Sequence, residues 1–445
     1  MDNRLAYMDQ ASFLALRALG HGAHVQFNWI YNRPVNVDGL RRFHRALGHG
    51  LLGRRIERSP LPFARDRWVA WPGPDDIEIA ATPRPRADLN AWLRERASLP
   101  LDPEYGPCWH IGVLRFEDGG TAVCLTATHI IADGLGVTEA VADAANGRSR
   151  SLAYPAAGSR GRLRALLEDA WQTIASIPEL ARALAAAVRI GLRQRKEVAA
   201  SIAAAPPSRG ARGEDQTVAI PSAIAQIELA EWNACAKRLG GGGLVLLAAF
   251  AGRLGVRMGR VGHDGSVTLS FPMSNRVAGD TRGNALEFLF VSVDPADLAS
   301  DLGEIRARFR NALAGLPEAS RQMLGPLPLV SFTPKWAARR AVGIGVGAAT
   351  LPIGCSNVGE MNPGANFPDG SAADEMHAGI TEHGISAHTI DAMRGQLLVM
   401  SGQIHGKIWI TVNAHLAGRT NSRQALREDM ARTFAEFDLT ATFGD

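Results

Sequence analysis

The spacing of apolar residues predicts helices in the first third of the chain. Residues 35–48 and 88–98 repeat apolar positions at three- and four-residue intervals, and Asp38 and Asp88 stand where N-cap residues would. A shorter helix is predicted over 136–145. The same part of the chain also carries the pattern of strands.

Two apolar segments, 109–116 and 121–128, flank the turn sequence Glu117-Asp118-Gly119-Gly120 and predict a β-hairpin. Further strands are predicted over 266–271, 286–293, 396–404 and 407–413. Further helices are predicted over 230–239, 244–258 and 422–437, the last with Asn421 or Ser422 as its cap. Both ends of the chain therefore mix helix and strand, which indicates an α/β fold.

The middle of the chain has a different composition. Residues 148–215 carry 12 Lys or Arg and 6 Asp or Glu, a net charge of +6. They predict an amphipathic helix whose apolar face is Leu163, Leu166, Leu167, Ala170, Trp171, Ile174 and Ile177. Pro178 should end or kink it, and a second basic helix follows over 179–204. We expect the apolar face to pack on the protein's own lobes, with an anionic membrane surface, or the phosphates of CoA or a carrier protein, as alternatives.

This middle segment suggests a division of the chain into three parts. An N-terminal lobe is predicted over 1–150, a basic helical linker over 151–217 and a C-terminal lobe over 218–445. Ligand sites are common at interfaces between lobes, so we expect the functional site in a cleft between the two.

Composition excludes several classes of protein. The 445 residues are 46% hydrophobic and 21% charged, as in an ordinary globular protein. A net charge of +4 is too small to indicate a nucleic-acid binder. The four cysteines form no C-x-x-C pair, and the N-terminus lacks the apolar core of a secretory signal, so we expect a cytoplasmic protein.

The motif with the most chemical meaning is Thr128-His129-Ile130-Ile131-Ala132-Asp133-Gly134, between a predicted strand and a predicted helix. A histidine at such a strand end can act as a general base on a hydroxyl or amine. Asp133-Gly134 suits a sharp turn. On this motif alone, an ordinary strand-end histidine beside a turn is the favoured interpretation.

Together with several other segments of the chain, the H-x-x-x-D-G motif resembles the motifs of the thioester-dependent acyltransferases. These enzymes include chloramphenicol acetyltransferase and the condensation domains of peptide synthetases. Within them the chain is similar to the bacterial wax ester synthase/diacylglycerol acyltransferase family. The segments that carry this resemblance are Met8–Phe13 (MDQASF), Gly106–Trp109 (GPCW), Pro272–Arg276 (PMSNR), Gly283–Asn284 and Cys355–Gly359 (CSNVG). The resemblance spans about residues 5 to 437.

The chain departs from the family's pattern at three places. The first of the family's two adjacent histidines is Thr128, whereas the family's catalytic base is present as His129. Glycines of Gly240–Gly243 replace an Asn-Asp motif, and Gly359 replaces a proline. These departures bear on the acceptor and the acyl chain more than on the chemistry.

The resemblance implies two chloramphenicol acetyltransferase-like lobes, each a mixed sheet with helices, around a central tunnel. It implies that His129 deprotonates the acceptor, while Asp133 and Gly134 shape the turn and a bidentate pair of Asp133 with Arg276 orients it. Ser356, Asn357, Asn284 and Thr128 are the candidates for oxyanion or substrate binding. No metal and no cofactor are implied beyond acyl-CoA or an acyl carrier protein as co-substrate.

Two other interpretations are weaker. Gly354-Cys355-Ser356-Asn357-Val358 lacks the last glycine of a serine-hydrolase elbow. His377, His383 and His388 lie near acidic residues, but their spacing fits no metal pair, and a polar loop is favoured there.

The sequence therefore predicts an acyltransferase of lipid or secondary metabolism that moves an acyl group from a CoA or carrier-protein thioester to a small-molecule or lipid alcohol. Peripheral membrane contact through the basic linker is an additional expectation. Two alternatives stay open: an amide-forming condensation enzyme, and a binding or scaffold protein that has lost turnover. Thr128 and the glycines of Gly240–Gly243 favour the scaffold, whereas His129, Asp133 and Arg276 oppose it.

Overall fold

The computed structural model describes residues 2–204, 217–262, 264–277, 279–339 and 352–444. The strands are β1 (Gly22–Tyr31), β2 (Arg54–Glu57), β3 (Arg67–Ala70), β4 (Glu78–Ile79), β5 (Trp109–Arg115), β6 (Thr121–Thr128), β7 (Ser222–Glu228), β8 (Val267–Ser274), β9 (Leu286–Val293), β10 (Ile353–Glu360), β11 (Glu375–His383), β12 (Gln396–Ile404), β13 (Lys407–His415) and β14 (Thr442–Phe443). The α-helices are α1 (Tyr7–Leu19), α2 (Val37–Leu47), α3 (Leu89–Ser98), α4 (Gly134–Ala145), α5 (Arg162–Ala175), α6 (Ile177–Ala204), α7 (Leu229–Arg238), α8 (Gly243–Arg257), α9 (Gly303–Leu324), α10 (Ala387–Ala392) and α11 (Arg423–Ala435).

Two mixed sheets form the centres of two lobes. The first has five strands in the order β11-β1-β6-β5-β4, and the second has seven in the order β14-β7-β13-β12-β10-β8-β9. A third, two-stranded sheet pairs β2 with β3. Helices pack on both sheets, so the predicted α/β fold of two lobes, each a mixed sheet with helices, is confirmed.

The first sheet takes a strand from the second half of the chain. β11 pairs antiparallel with β1, with Asn28 opposite His377. The predicted division at residue 217 does not anticipate this exchange, because local periodicity does not encode pairing between distant segments. The predicted linker also includes residues 205–216, which lie outside the described residues.

Local signals placed most elements correctly. The hairpin of β5 and β6 and the cap of α11 are confirmed, since the side chain of Ser422 accepts a hydrogen bond from the backbone of Ala425. The cap predicted at Asp38 is wrong. The helix begins at Val37, and Asn36 caps it by accepting a bond from the Gly39 amide at 3.1 Å. Asp88 does precede α3, but its side chain makes no capping bond because its backbone is already helical.

The polar loop favoured around residues 377–388 is wrong. Residues Glu375–His383 form β11, and His377 is buried with 5% of its surface exposed. Apolar residues alternate at Met376, Ala378 and Ile380, which is the period-two pattern of a strand beneath the polar composition.

The buried histidines of this sheet make stability depend on pH. Burial lowers the pKa of His24 and of His377 to about 4; for His24 the neighbouring charge of His383 adds to the effect. These rings stay neutral in the folded chain, whereas the unfolded chain takes up protons below its ordinary histidine pKa of about 6.5. The stabilisation is therefore complete above that pH and is lost as the pH falls toward 4.

We expect the free energy of unfolding to fall by roughly 2 kcal/mol per buried histidine between about pH 7.5 and pH 5. Urea unfolding at the two pH values measures it. The variant His377→Asn should show a smaller difference than the unmodified chain. Equal unfolding free energies at both pH values would contradict this account of the sheet.

The linker helices differ from the expectation in one respect. α5 ends at Ala175 and α6 begins at Ile177, so Pro178 lies in the first turn of a new helix, as predicted for a break there. However, the apolar face of α5 does not pack on the lobes. Leu163, Leu167 and Trp171 are each more than half exposed.

Of the described helices, no single one is long and apolar enough to span a membrane. The consecutive helices α7 and α8, which meet at a bend of 82°, pass that test only when they are joined.

Candidate functional site

His129 lies at the junction of the two lobes. It directly follows β6, and its backbone amide donates to the carbonyl of Ala23 at 2.9 Å, which extends the ladder between β6 and β1. The residue is partly exposed, between the buried Thr128 and Ile130. A rigid sheet therefore carries its backbone, while its side chain is free to meet groups from the second lobe.

Asn284, in the loop before β9, fixes the orientation of the imidazole. Its amide nitrogen Nδ2 is surrounded by three acceptors: Asp9 Oδ1 at 3.4 Å, the His129 carbonyl at 3.3 Å and the Ile130 carbonyl at 3.4 Å. This arrangement turns Oδ1 toward His129 Nδ1, at 3.0 Å. Because Oδ1 can only accept, Nδ1 must carry the proton, and the neutral ring has its lone pair on Nε2.

This geometry corrects one prediction. Asn284 was expected to bind an oxyanion or substrate, but it is buried, with 4% of its surface exposed, and both of its polar atoms are bonded within the protein. It is a positioning residue for His129.

Asp9 holds the loop that presents Asn284. Its carboxylate accepts from the backbone amides of Gly283 at 2.9 Å and Asn284 at 2.7 Å. Burial raises the pKa of this carboxyl group. The approach is so close that a β-carbon at Gly283 would lie 2.6 Å from the carbonyl oxygen of Ile130, so only glycine fits there.

Asp133 and Arg276 join the motif loop, residues 129–134, to the second lobe. Arg276 Nη2 lies 2.7 Å from Asp133 Oδ2, and both side chains are almost completely buried. Asp133 Oδ2 also accepts from the Ala285 amide, and Oδ1 caps α4 through the Gly136 amide at 2.8 Å. The carboxylate thus faces away from solvent and forms hydrogen bonds to three chain segments, at Arg276, at Ala285 and at the start of α4.

The predicted bidentate geometry of this pair is wrong. Only Nη2 reaches the carboxylate, and it also donates to the Gly283 carbonyl at 3.0 Å, while Nη1 donates to the Arg282 carbonyl at 3.1 Å. The guanidinium therefore organises the loop before β9 as well as the motif loop. Gly134 follows Asp133 at the start of α4, where Val358 of β10 packs against it.

Arg54 is a further support that the sequence did not indicate. It is completely buried, stacks on Trp68 at 4.0 Å, and donates to the Ile131 carbonyl at 2.6 Å and to the Thr281 carbonyl. Asp9 is a second such residue. It lies in the segment Met8–Phe13 that carried the resemblance, but no role was predicted for it from the sequence. A buried arginine has no local sequence signature, so nothing in the pattern around residue 54 could have revealed it.

Thr128, the residue in place of the first family histidine, lies inside the first sheet. Its surface is 3% exposed, and it stands opposite His24 in the ladder of β1 and β6. It is therefore placed to pack beside His24, and its contact with substrate stays a prediction.

Ser356 and Asn357 lie on β10 in the second lobe. Asn357 Oδ1 accepts from the Gly359 amide at 2.9 Å and from Ser401 at 3.3 Å. β10 continues through residue 360 as a strand, which excludes a nucleophile elbow at Ser356. Val358, one residue beyond Asn357, contacts the start of α4, so β10 approaches the motif loop from the second lobe.

A cavity that is partly open to solvent lies between the two sheets. The first sheet contributes Gln26, Asn28 and His377 to its lining, and β13 contributes Thr411 and Asn413. Within the described residues, Asn28 Oδ1, Asn413 Oδ1 and His377 Nε2 are buried without a hydrogen-bond partner. Gln26 also donates to Thr126 of β6 at 3.2 Å, so one lining residue is bonded to the strand that leads to His129, although His129 itself does not line this cavity.

No metal site competes with this arrangement in the described part of the chain, where no three His, Cys, Asp or Glu side chains are grouped to hold an ion.

The hydrogen bond from His129 to Asn284 leads to a prediction. Asn284→Ala should lower the turnover number of the reaction proposed below by roughly 10–100-fold and leave KM almost unchanged, because a misoriented base slows the chemical step and not substrate binding. Steady-state kinetics measure both constants. Asn275→Ala is the matched control, since Asn275 is exposed in the same loop and its side chain bonds Glu287 at 3.0 Å, away from His129. A variant that changes KM alone would contradict the positioning role.

Comparisons with known proteins agree with this architecture. No protein-family model matches the chain, and no curated protein matches it. Among solved structures, it is similar to the first condensation domain of the calcium-dependent antibiotic synthetase in complex with a substrate analogue, with a TM-score of 0.61, 15% identity and coverage of 98% of this chain and 97% of that chain. It is also similar to polyketide synthase associated protein 5 from Mycobacterium tuberculosis, with a TM-score of 0.56, 14% identity and coverage of 97% and 96%. At such identities the likeness shows the fold alone, which is the two-lobed fold of condensation domains.

Proposed function

We propose that this protein transfers an acyl group from a thioester to a nucleophilic acceptor, with His129 as the general base. One observation carries the proposal: the bond from Nδ1 to Asn284 Oδ1, at 3.0 Å, leaves the lone pair of a partly exposed imidazole on Nε2. A neutral imidazole with a fixed tautomer is suited to proton transfer near neutral pH.

The proposed reaction has two proton transfers. His129 Nε2 takes the proton of the acceptor hydroxyl as its oxygen attacks the thioester carbonyl carbon. The resulting tetrahedral oxyanion collapses, the carbon–sulfur bond breaks, and the imidazolium returns its proton to the departing thiolate. An ester and a free thiol are formed, and the protein is regenerated.

The oxyanion needs hydrogen-bond donors. Ser356 and Asn357 are our candidates, because β10 approaches the motif loop and the acceptor atom Oδ1 of Asn357 is already bonded to Gly359. That bond leaves the amide group of Asn357 as the part of the side chain that can donate to an oxyanion.

We further propose that substrates meet in a tunnel between the lobes and that the cavity between the two sheets binds the acceptor. Its lining presents two asparagine carbonyl oxygens and one ring nitrogen that lack protein partners, and such groups suit a ligand with hydroxyl or amine donors. The acyl donor is acyl-CoA or an acyl carrier protein, and the condensation domains among the structural neighbours favour the carrier protein.

A hydroxyl acceptor, either a small molecule or a lipid, is our first candidate because of the resemblance to the wax ester synthase/diacylglycerol acyltransferase family. An amine acceptor is the second candidate, and the similarity to condensation domains favours it. The same base serves both, since each acceptor must lose a proton as it attacks the carbonyl.

Thiol release separates the candidates. The protein is mixed with acyl-CoAs and with acyl carrier proteins, each with a panel of alcohols and a panel of amines, and free thiol is measured with a colorimetric reagent. Release with alcohols supports ester formation, and release with amines alone supports amide formation. No release with any pair would contradict transfer and favour a scaffold that keeps the fold without turnover.

A further inference from the structure

The two helices of the linker expose an apolar face that most soluble proteins would cover. On α5, Leu163 is 71% exposed, Leu167 is 65% exposed and Trp171 is 71% exposed. On α6, Leu184, Val188 and Leu192 recur at four-residue intervals and are each more than half exposed. Both helices thus present large aliphatic or aromatic side chains to the outside along their described length.

α5 is attached to the protein through its polar side. Asp169 is buried, with 2% of its surface exposed, and it accepts from Ser59 at 2.6 Å, from Arg67 at 2.9 Å and from Arg160 at 2.9 Å. Ala165, one turn earlier on the helix, is also buried. The usual orientation of a surface helix is therefore reversed, because the apolar face points away from the core.

The acidic and the basic side chains of these two helices have different surroundings. The acidic side chains that the structure describes bond to neighbouring side chains: Asp169 joins the arginines named above, Glu179 accepts from Tyr7 at 2.8 Å, and Glu168 pairs with Arg160 and Arg164. Arg162 and Arg164 stand on either side of the exposed apolar face, since they precede and follow Leu163; both are exposed, and Arg164 is the one paired with Glu168. The outer surface of the linker thus combines apolar side chains with positive charge.

We infer that the outer face of α5 and α6 binds the surface of an anionic lipid membrane. An interfacial helix buries an apolar face of Leu, Ile and Trp at the boundary of head groups and acyl chains, while arginines at its edge reach the lipid phosphates. Charge complementarity favours anionic lipid as the occupant, because residues 148–215 carry a net charge of +6 within a chain of +4. This inference does not rest on the proposed function, since vesicle binding is measured without any acyl transfer.

Co-sedimentation with vesicles tests it. The full chain is mixed with phosphatidylcholine vesicles, with and without about 30% phosphatidylglycerol, at low and at high salt. We expect sedimentation with the anionic vesicles at low salt, and weaker sedimentation with neutral vesicles or at high salt. The double variant Leu167→Glu/Trp171→Glu should bind at least about tenfold more weakly.

Leu313→Glu is the matched control, because Leu313 on α9 is also an exposed leucine, 44% accessible, on a helix outside the linker. It should bind like the unmodified chain, and circular dichroism should show that both variants are folded. Absence of binding to anionic vesicles at low salt would overturn the inference, and so would equal binding by the double variant. A dimer in light scattering that the double variant abolishes, without vesicle binding, would overturn it in favour of a second copy of the chain.

Discussion

Replacing His129 with alanine is expected to lower the rate of acyl transfer by about a thousandfold, within the range of general acid–base catalysis. The variant keeps the hydrogen bonds of Asn284 to Asp9 and to the backbone carbonyls, so the loop that presents the base should remain in place. What is lost is the group that accepts the proton of the acceptor. Single-turnover thiol release, with the best donor and acceptor of the panel, measures the effect.

The control for this variant is His49→Ala. His49 is an exposed histidine of the same lobe, and its removal should leave the rate unchanged. Thermal unfolding of the His129→Ala protein should show a midpoint close to that of the unmodified chain, because His129 is only partly buried. Transfer that persists in a folded His129→Ala protein would remove the proposed mechanism.

Replacing Asp133 with alanine is expected to destabilise the protein by about 3–5 kcal/mol, the usual cost of removing one partner of a buried ion pair. The substitution leaves the Arg276 guanidinium buried without its carboxylate and removes the cap of α4. It also frees the Ala285 amide, which bonds Asp133 Oδ2 at 2.9 Å. Urea unfolding gives the change in the free energy of unfolding.

Asp118→Ala is the matched control for that measurement. Asp118 pairs with Arg86 at 2.7 Å, but its side chain is 47% exposed, so its removal should cost far less stability than the removal of Asp133. The double variant Asp133→Ala/Arg276→Ala should be less destabilised than the sum of the two single variants, since no unpaired charge remains. A loss as small as that of Asp118→Ala would show that the pair does not hold the two lobes together.

Most helices, but fewer than half of the strands, were predictable because the signals that define them are local. The hairpin of β5 and β6 follows from a turn sequence between two apolar segments, and α11 follows from a cap and a periodic apolar pattern. The pairing of β11 with β1 was not predictable, because its register joins residues more than 300 positions apart, such as Gly22 and His383.

The residues of the candidate site also fall into two groups: those that the sequence indicated and those that only the structure shows. His129, Asp133 and Arg276 stand in motifs that carried the resemblance, and the structure places Asp133 and Arg276 within 2.7 Å. The support by Arg54 and the role of Asn284 appear only in the structure, because each acts through backbone carbonyls of another segment. The outward apolar face of α5 was also missed, because periodicity shows that a face is apolar but not what covers it.

Membrane binding by α5 and α6 would suit acyl transfer to a lipid alcohol, although neither requires the other. A protein that rests on a lipid surface through α5 and α6 would meet lipid alcohols where they are concentrated. Vesicle binding without activity toward lipid alcohols would leave the surface inference intact and favour a small-molecule acceptor.

The central claim is that Nε2 of His129 is the unprotonated nitrogen of a tautomer fixed by Asn284. Nuclear magnetic resonance of the full chain with ¹⁵N-labelled histidine tests it most directly, with the signals of His129 assigned by their loss in His129→Gln. At a pH where this ring is neutral, the account predicts a proton on Nδ1 and none on Nε2, and a mixture of tautomers in Asn284→Ala. A proton on Nε2 in the unmodified protein would contradict the account.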